Sequence, residues 1–152
     1  MEIKKILCPV DFSEISANAL GYAVFLASHH HAEILLLHVV EHLHEFENYQ
    51  ILVFTPIELS EKMENHAYEE LNKLAEQIKK AIKVETVVRK GKAFVEIIKE
   101  AKEKDMDLIV MGSHGRTGIS HMLMGSVAEK VVRKANCPVL IVRDKNAQFD
   151  IP

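Results

Sequence analysis

The sequence predicts an α/β domain built on a five-stranded parallel sheet with helices on both faces. Three observations carry that prediction. Five apolar runs rich in β-branched residues alternate with four segments whose apolar residues recur at helical spacing. Strands joined by such helices cross over in the right-handed sense, which makes them parallel and buries both faces of the sheet. The second run, Ile34-Leu35-Leu36-Leu37-His38-Val39-Val40, is apolar almost without a break, as a strand covered on both sides must be. Finally, the fourth run stops at glycine and leads through a glycine-punctuated loop into a helix start.

Taken in order, Ile3 to Val10 has strand composition and closes at Asp11. In the following Asp11-Phe12-Ser13-Glu14, Ser13 or Asp11 can cap a helix, and Ile15, Ala19, Tyr22, Ala23 and Leu26 then fall on one face. Glu33 to Val40 is the second strand. Residues 41–55 mix charged and apolar types and form a long connection, either a lid or a contact surface. Pro56 suits a first helical turn, and Leu59, Met63, His66, Ala67, Leu71, Leu74, Ile78 and Ile82 carry one stripe to about residue 82. Val84 to Val88 is the third strand, and a helix from Ala93 to Lys104 turns Phe94, Ile97, Ile98 and Ala101 inward. Asp107 precedes the fourth strand, Leu108 to Met111. A last helix, Ser126 to Lys134, is expected to bury Val127, Val131 and Val132 before Asn136-Cys137-Pro138 ends it and Val139 to Val142 forms the fifth strand. The polar tail then sets the boundaries: one domain over residues 1–143 with a variable connection 41–56, and a terminal segment 144–152.

Composition excludes several functions. A 152-residue chain buries roughly 70% of its unfolded surface, enough for one core. Net charge of −3, with Lys and Arg scattered among acids, offers no basic face to nucleic acid. The first apolar run is broken by Pro9 and stopped by Asp11, too short for a membrane span or signal peptide, so a cytoplasmic location without a membrane partner is expected. Cys8 and Cys137 each precede a proline in strand-like surroundings and form no Cys-x-x-Cys pair, which predicts buried reduced thiols.

The stretch from Leu108 to Val132 holds Gly112, Gly115, Gly118 and Gly125, four of the six glycines, and that clustering argues for more than turn-making. Its spacing, Gly-x2-Gly-x9-Gly-Ser, fits neither the Walker loop nor the Rossmann fingerprint. The physical logic is nevertheless that of a phosphate cradle. Glycines let N–H groups turn inward without a Cβ, and the first amides of the next helix are unpaired donors at its positive end. Ligands of parallel α/β sheets bind beyond the carboxyl ends of the strands where strand order reverses. With the order 3-2-1-4-5, Asp11 and Gly112 would end neighbouring strands at that point.

Together these residues resemble the universal stress protein family in its ATP-binding branch. The matching pieces are Ile6-Leu7-Cys8-Pro9-Val10-Asp11-Phe12-Ser13, Leu36-Leu37-His38-Val39, the segment Asp107 to Gly115, Gly125-Ser126-Val127, and Cys137-Pro138-Val139-Leu140-Ile141-Val142. The likeness covers nearly the whole chain, with residues 41–60 the variable part. It implies an adenine-nucleotide α-hydrolase-like fold and a homodimer formed through Val139 to Val142. It also implies that Asp11 holds the ribose, that the backbone of Val39 meets adenine with Pro9 and Val10 lining that pocket, and that Gly112, Gly115, Gly125, Ser126 and Val127 surround the phosphates. Met111, His114 and Arg116 complete the candidate pocket, Arg116 as a fork of donors within reach of a terminal phosphate. ATP is the implied cofactor, carrying Mg2+ or Mn2+ through its phosphates, since no dedicated carboxylate cluster is present.

The same residues have plainer readings. Asp11 and Ser126 can each be a helix cap alone, Arg116 can be solvated, and Met111, Met122 and Met124 can be packing. His29-His30-His31 falls at a predicted helix end, where imidazolium suits the helix dipole better than a metal does, and His38, His42 and His44 are not spaced for zinc. No Ser/His/Asp or Cys/His set can be assembled, so no catalytic residue is assigned and at most slow hydrolysis is expected. Two functions compete. One is a cytosolic ATP-binding stress-response protein whose nucleotide is a regulatory switch or stabilising ligand. The other is a homodimeric interaction or structural module of the same fold, without nucleotide affinity, working through residues 41–55. The intact glycine signature favours the first. Enzymes of the wider fold group need a Ser-Gly-Gly loop or a His-Ile-Gly-His motif, and neither occurs.

Overall fold

A computed structural model of the chain describes residues 2–41, 55–115 and 124–143. Its elements run β1 (Lys5–Pro9), α1 (Glu14–His30), β2 (Glu33–Val40), α2 (Pro56–Ile78), β3 (Val84–Lys90), α3 (Ala93–Glu103), β4 (Leu108–Gly112), α4 (Ser126–Lys134) and β5 (Val139–Val142). The strands form one sheet in the order β3-β2-β1-β4-β5, and every neighbouring pair is parallel. The α/β class and the strand order anticipated from the sequence are therefore those of the molecule. The connection 42–54, the loop 116–123 and the tail 144–152 lie outside the described residues.

Side chains alternate across the sheet as a two-residue period requires. Ile6, Cys8, Ile34, Leu36, Leu108 and Val110 pack under α1 and α2, whereas Leu7, Leu35, Leu37, Ile109 and Met111 pack under α3 and α4. Complete burial of aliphatic side chains such as Ile6, Leu7, Leu36 and Ile109 stabilises the fold by about 1.5–3 kcal/mol each.

The helices differ from the sequence expectation in rotation more than in position. α1 buries Ser16, Ala19, Leu20, Ala23 and Ala27, while Tyr22, expected inward, is 47% exposed. The reason is rotation: the buried positions 16, 19, 20, 23 and 27 centre the inner face away from Tyr22, and at its start the helix lies close enough to β4 that a Cβ on Gly112 would stand 2.7 Å from Ile15 Cγ2. In α2 the expected inward His66 is exposed and the helix stops at Ile78 rather than near residue 82, although Ile82 itself is buried. α4 buries Ala128 and Val131 but leaves Val132 45% exposed. Strand limits shift too: β1 begins at Lys5 rather than Ile3, and β3 continues to Lys90 because Val40 of β2 pairs with it.

Both cysteines are free; Cys8 is fully buried and Cys137 partly so. Burial pushes the Cys8 thiol up to about 12, and burial together with the charge of Asp107 raises that of Cys137. Among the described residues no helix is long and apolar enough to cross a membrane.

Candidate functional site

The carboxyl ends of β1 and β4 meet at the point where strand order reverses. At the first of them the chain turns sharply. The Val10 amide donates to the Leu37 carbonyl at 2.8 Å, and Phe12 then adopts φ 64, a left-handed conformation costing a non-glycine residue about 1–2 kcal/mol. Ser13 follows as the N-cap of α1, its hydroxyl oxygen accepting from the Ser16 amide at 3.2 Å. That assigns the cap to Ser13. Asp11 plays a different part: its Oδ1 accepts from the Ser13 amide at 3.0 Å and the Ser13 hydroxyl at 2.5 Å. Its Oδ2 faces the glycine loop, because a Cβ built on Gly115 would lie 2.8 Å from it.

Behind this turn stands His38 of β2. Its Nδ1 is 2.8 Å from the Val10 carbonyl oxygen, and its ring stacks on Phe12 with centroids 4.6 Å apart. Neither residue was singled out from the sequence as part of the site. A polar side chain in an otherwise apolar strand was the one available signal for His38.

The second end is built by β4 and α4. The Ser113 amide donates to Val142 of β5 at 2.8 Å, and the Gly125 amide donates to the Ser113 carbonyl at 2.7 Å, so the two ends of the glycine segment are tied together. Both amides are consequently directed inward and cannot serve an anion. Gly125 is the N-cap of α4 and Ser126 its first residue, so Ser126 is not the cap. A Cβ on Gly125 would come within 3.1 Å of the Ser113 carbonyl oxygen. His114 Nδ1 is 3.0 Å from the buried Ser113 hydroxyl, while its Nε2 is buried without a hydrogen-bond partner. Buried polar atoms rarely remain unpaired, which marks this ring as a group made for something further.

The four helix starts differ in one respect that bears on chemistry. α1 is closed by Ser13, α2 by a Thr55/Glu58 capping box, and α3 by Glu41, whose Oε1 accepts from the Ala93 amide at 2.9 Å. Among the described residues, no side chain accepts from the first turn of α4. A helix start carries roughly half a positive charge on its unpaired amides. That of α4 thus carries such donors next to Ser113 and His114, while Gly115, one residue beyond His114, faces Asp11.

Pro9 and Val10 close β1 as buried residues, and Val39 lies part-buried near the end of adjacent β2. Met111 is buried in the core under α3 and α4, where its role is packing. Gly112 is explained by the approach of α1. Arg116 lies outside the described residues, as do Thr117 and Gly118. Among the described residues no group of three or more His, Cys, Asp or Glu is arranged to hold a metal ion.

This geometry has close counterparts. A model of the universal stress protein family matches residues 2–143. The universal stress protein MJ0577 of Methanocaldococcus jannaschii is 37% identical over 158 aligned positions, covering 95% of this chain and 97% of that one. The solved structure of that protein superposes with a TM-score of 0.83 at 34% identity, covering 96% and 99%. More distant solved structures share the fold. One is a universal stress protein in complex with cAMP, at 22% identity and a TM-score of 0.69, with 94% and 98% covered. Another, from Archaeoglobus fulgidus in complex with dAMP, has 22% identity and a TM-score of 0.63, with 92% and 97% covered. Sheet order, the strand-to-helix glycine segment and the family match thus coincide over nearly the whole sequence, and the chain belongs to the universal stress protein family.

Proposed function

We propose that this protein is a cytosolic stress-response module that binds ATP at the carboxyl ends of β1, β2 and β4. The observation that carries the proposal is a glycine segment that faces Asp11 at Gly115 and leads, at Gly125, into a helix start without a side-chain cap. In this reading the amides of Ser126 and Val127 meet the phosphates, with Gly115 leaving the space a side chain would fill. Asp11 accepts from the ribose hydroxyls, and the backbone of Val39 meets adenine beside Pro9 and Val10. His114 Nε2, buried and unpaired, is a further contact for the phosphates, and Arg116 is a second cation for their outer end. Relatives of the same fold solved with cAMP and dAMP favour an adenine nucleotide as the ligand class.

A divalent cation, Mg2+ or Mn2+, would be held through the phosphate oxygens, because the described residues offer no group of three or more His, Cys, Asp or Glu to hold it. The nucleotide acts as a switch or stabilising ligand, with at most slow hydrolysis. We place the functional unit in residues 1–143 and in a homodimer through β5, whose Leu140 is 36% exposed. Equilibrium dialysis of nucleotide-stripped protein against ATP tests the central reading, with Asp11→Ala expected to weaken binding. Absence of binding by the stripped wild type would leave only an interaction module of the same fold.

A further inference from the structure

We propose that His38 is a positioning residue that fixes the aim of Asp11. The inference rests on the nucleotide reading above, in which Asp11 meets the ribose. Asp11 sits in a turn whose neighbours on both sides are held by this one ring. On one side, His38 Nδ1 lies 2.8 Å from the Val10 carbonyl oxygen. A carbonyl can only accept, so Nδ1 carries the proton and donates. On the other side the ring stacks on Phe12, with centroids 4.6 Å apart and planes inclined by 30°.

Phe12 has φ 64, a conformation an aromatic L-residue keeps only where its surroundings enforce it. That turn brings the Ser13 amide and hydroxyl onto Oδ1 of Asp11 and so directs Oδ2 toward Gly115. His38 belongs to β2, in register with Val88, so its ring is anchored by the sheet rather than by a loop. The chain of dependence runs from sheet to imidazole, from imidazole to the left-handed Phe12, and from Phe12 to the carboxylate. Remove the ring and residue 12 can relax to negative φ, turning the peptide groups beside Asp11 and taking the carboxylate off the glycine loop.

The test compares ATP with 2′,3′-dideoxy-ATP, which lacks the hydroxyls Asp11 would accept from. Calorimetry is run on wild type, His38→Ala, His38→Asn, Asp11→Ala and the His38→Ala/Asp11→Ala double variant. His38→Ala should lose about tenfold in ATP affinity while dideoxy-ATP binding stays within about twofold. His38→Asn, whose amide nitrogen stands where Nδ1 stood, should recover part of the loss. In the Asp11→Ala background, His38→Ala should cost nothing more. Equal weakening of both nucleotides, or full additivity with Asp11→Ala, would overturn the proposal and leave His38 a merely structural residue.

A second arm needs no ligand. Backbone chemical shifts of Phe12 should report the left-handed conformation in wild type and its loss in His38→Ala; its retention there overturns the proposal. If wild type fails to bind ATP at all, the nucleotide reading falls and the Phe12 shifts alone decide whether His38 sets the turn.

Discussion

Two helices share one face of the sheet, α3 and α4, and their amino ends are finished in opposite ways. α3 is closed by a carboxylate from elsewhere in the chain, Glu41, and is fastened lower down by its own Glu100, which is 1% exposed and accepts from Arg89 Nε at 2.8 Å. α4 begins after a glycine N-cap, and among the described residues no side-chain cap hydrogen bond closes it. The difference teaches where the fold supplies its own acceptor to a helix start and where, among the described residues, it supplies none. An acceptor brought from 52 residues away serves stability. In the reading proposed above, the start of α4 is left open for a ligand.

The most severe way to break this contrast is to fill the opening. Gly115→Val should abolish ATP binding, since even a Cβ there stands 2.8 Å from Asp11 Oδ2, while circular dichroism stays native because the position is exposed. Affinity equal to wild type would mean that the glycine segment is not the phosphate cradle.

Next in size is the anchor of α3. Arg89→Ala leaves a buried carboxylate with neither oxygen paired, given that Glu100 Oε1 already lacks a partner, and should lower stability by about 3 kcal/mol in urea unfolding. Replacing both residues with methionine should restore most of that loss. A small effect of Arg89→Ala alone would show that Glu100 is held by its surroundings rather than by the ion pair. The same interaction raises the guanidinium pKa of Arg89.

Making α4 resemble α3 is a milder intervention. Ser126→Asp adds a second carboxylate to the first turn, at its very start and ahead of Glu129, which should weaken ATP by about 2 kcal/mol, roughly thirty-fold, in equilibrium dialysis. Thermal stability should rise slightly in the same variant, because a negative charge there suits the helix dipole. Both nucleotide affinity and stability falling together would point to a damaged helix instead. The converse change, Glu41→Ala, should cost about 0.5–1 kcal/mol of stability and create no ATP site at α3, which lacks the glycine segment. Smallest is the seam between the two helices, where Lys130 and Lys134 of α4 stand 4.9 and 5.7 Å from the Phe94 ring centroid. Phe94→Leu should lower stability by about 0.5 kcal/mol or slightly more, read from the urea midpoint.

Much of the scaffold was legible because periodicity is local. The run from Ile34 to Val40 announced a strand buried on both sides, and β2, α4 and β5 begin and end where the sequence placed them. Tyr22 and His66 were misplaced because helical spacing gives a face but not its rotation, which depends on how near the helix lies to the sheet. At the site, Gly115 and Asp11 were legible as residue types at a switch point, but their contact was not. At Gly112 the structure adds a packing reason for glycine that the sequence did not show, the approach of Ile15 of α1.

The order of apolar and polar residues was enough by itself to determine the α/β class, the crossovers and the position of the glycine segment, because each depends on patterns a few residues long. Only the tertiary structure decided that Ser13 takes the cap while Asp11 accepts from Ser13 and turns Oδ2 toward Gly115, that His38 contacts the residues on both sides of that aspartate, and that Glu41 closes α3 while Gly125 gives α4 no side-chain cap. Those decisions join residues 28 and 52 positions apart, and contacts of that range leave no repeat in the sequence; they exist only once the sheet has brought the strand ends together.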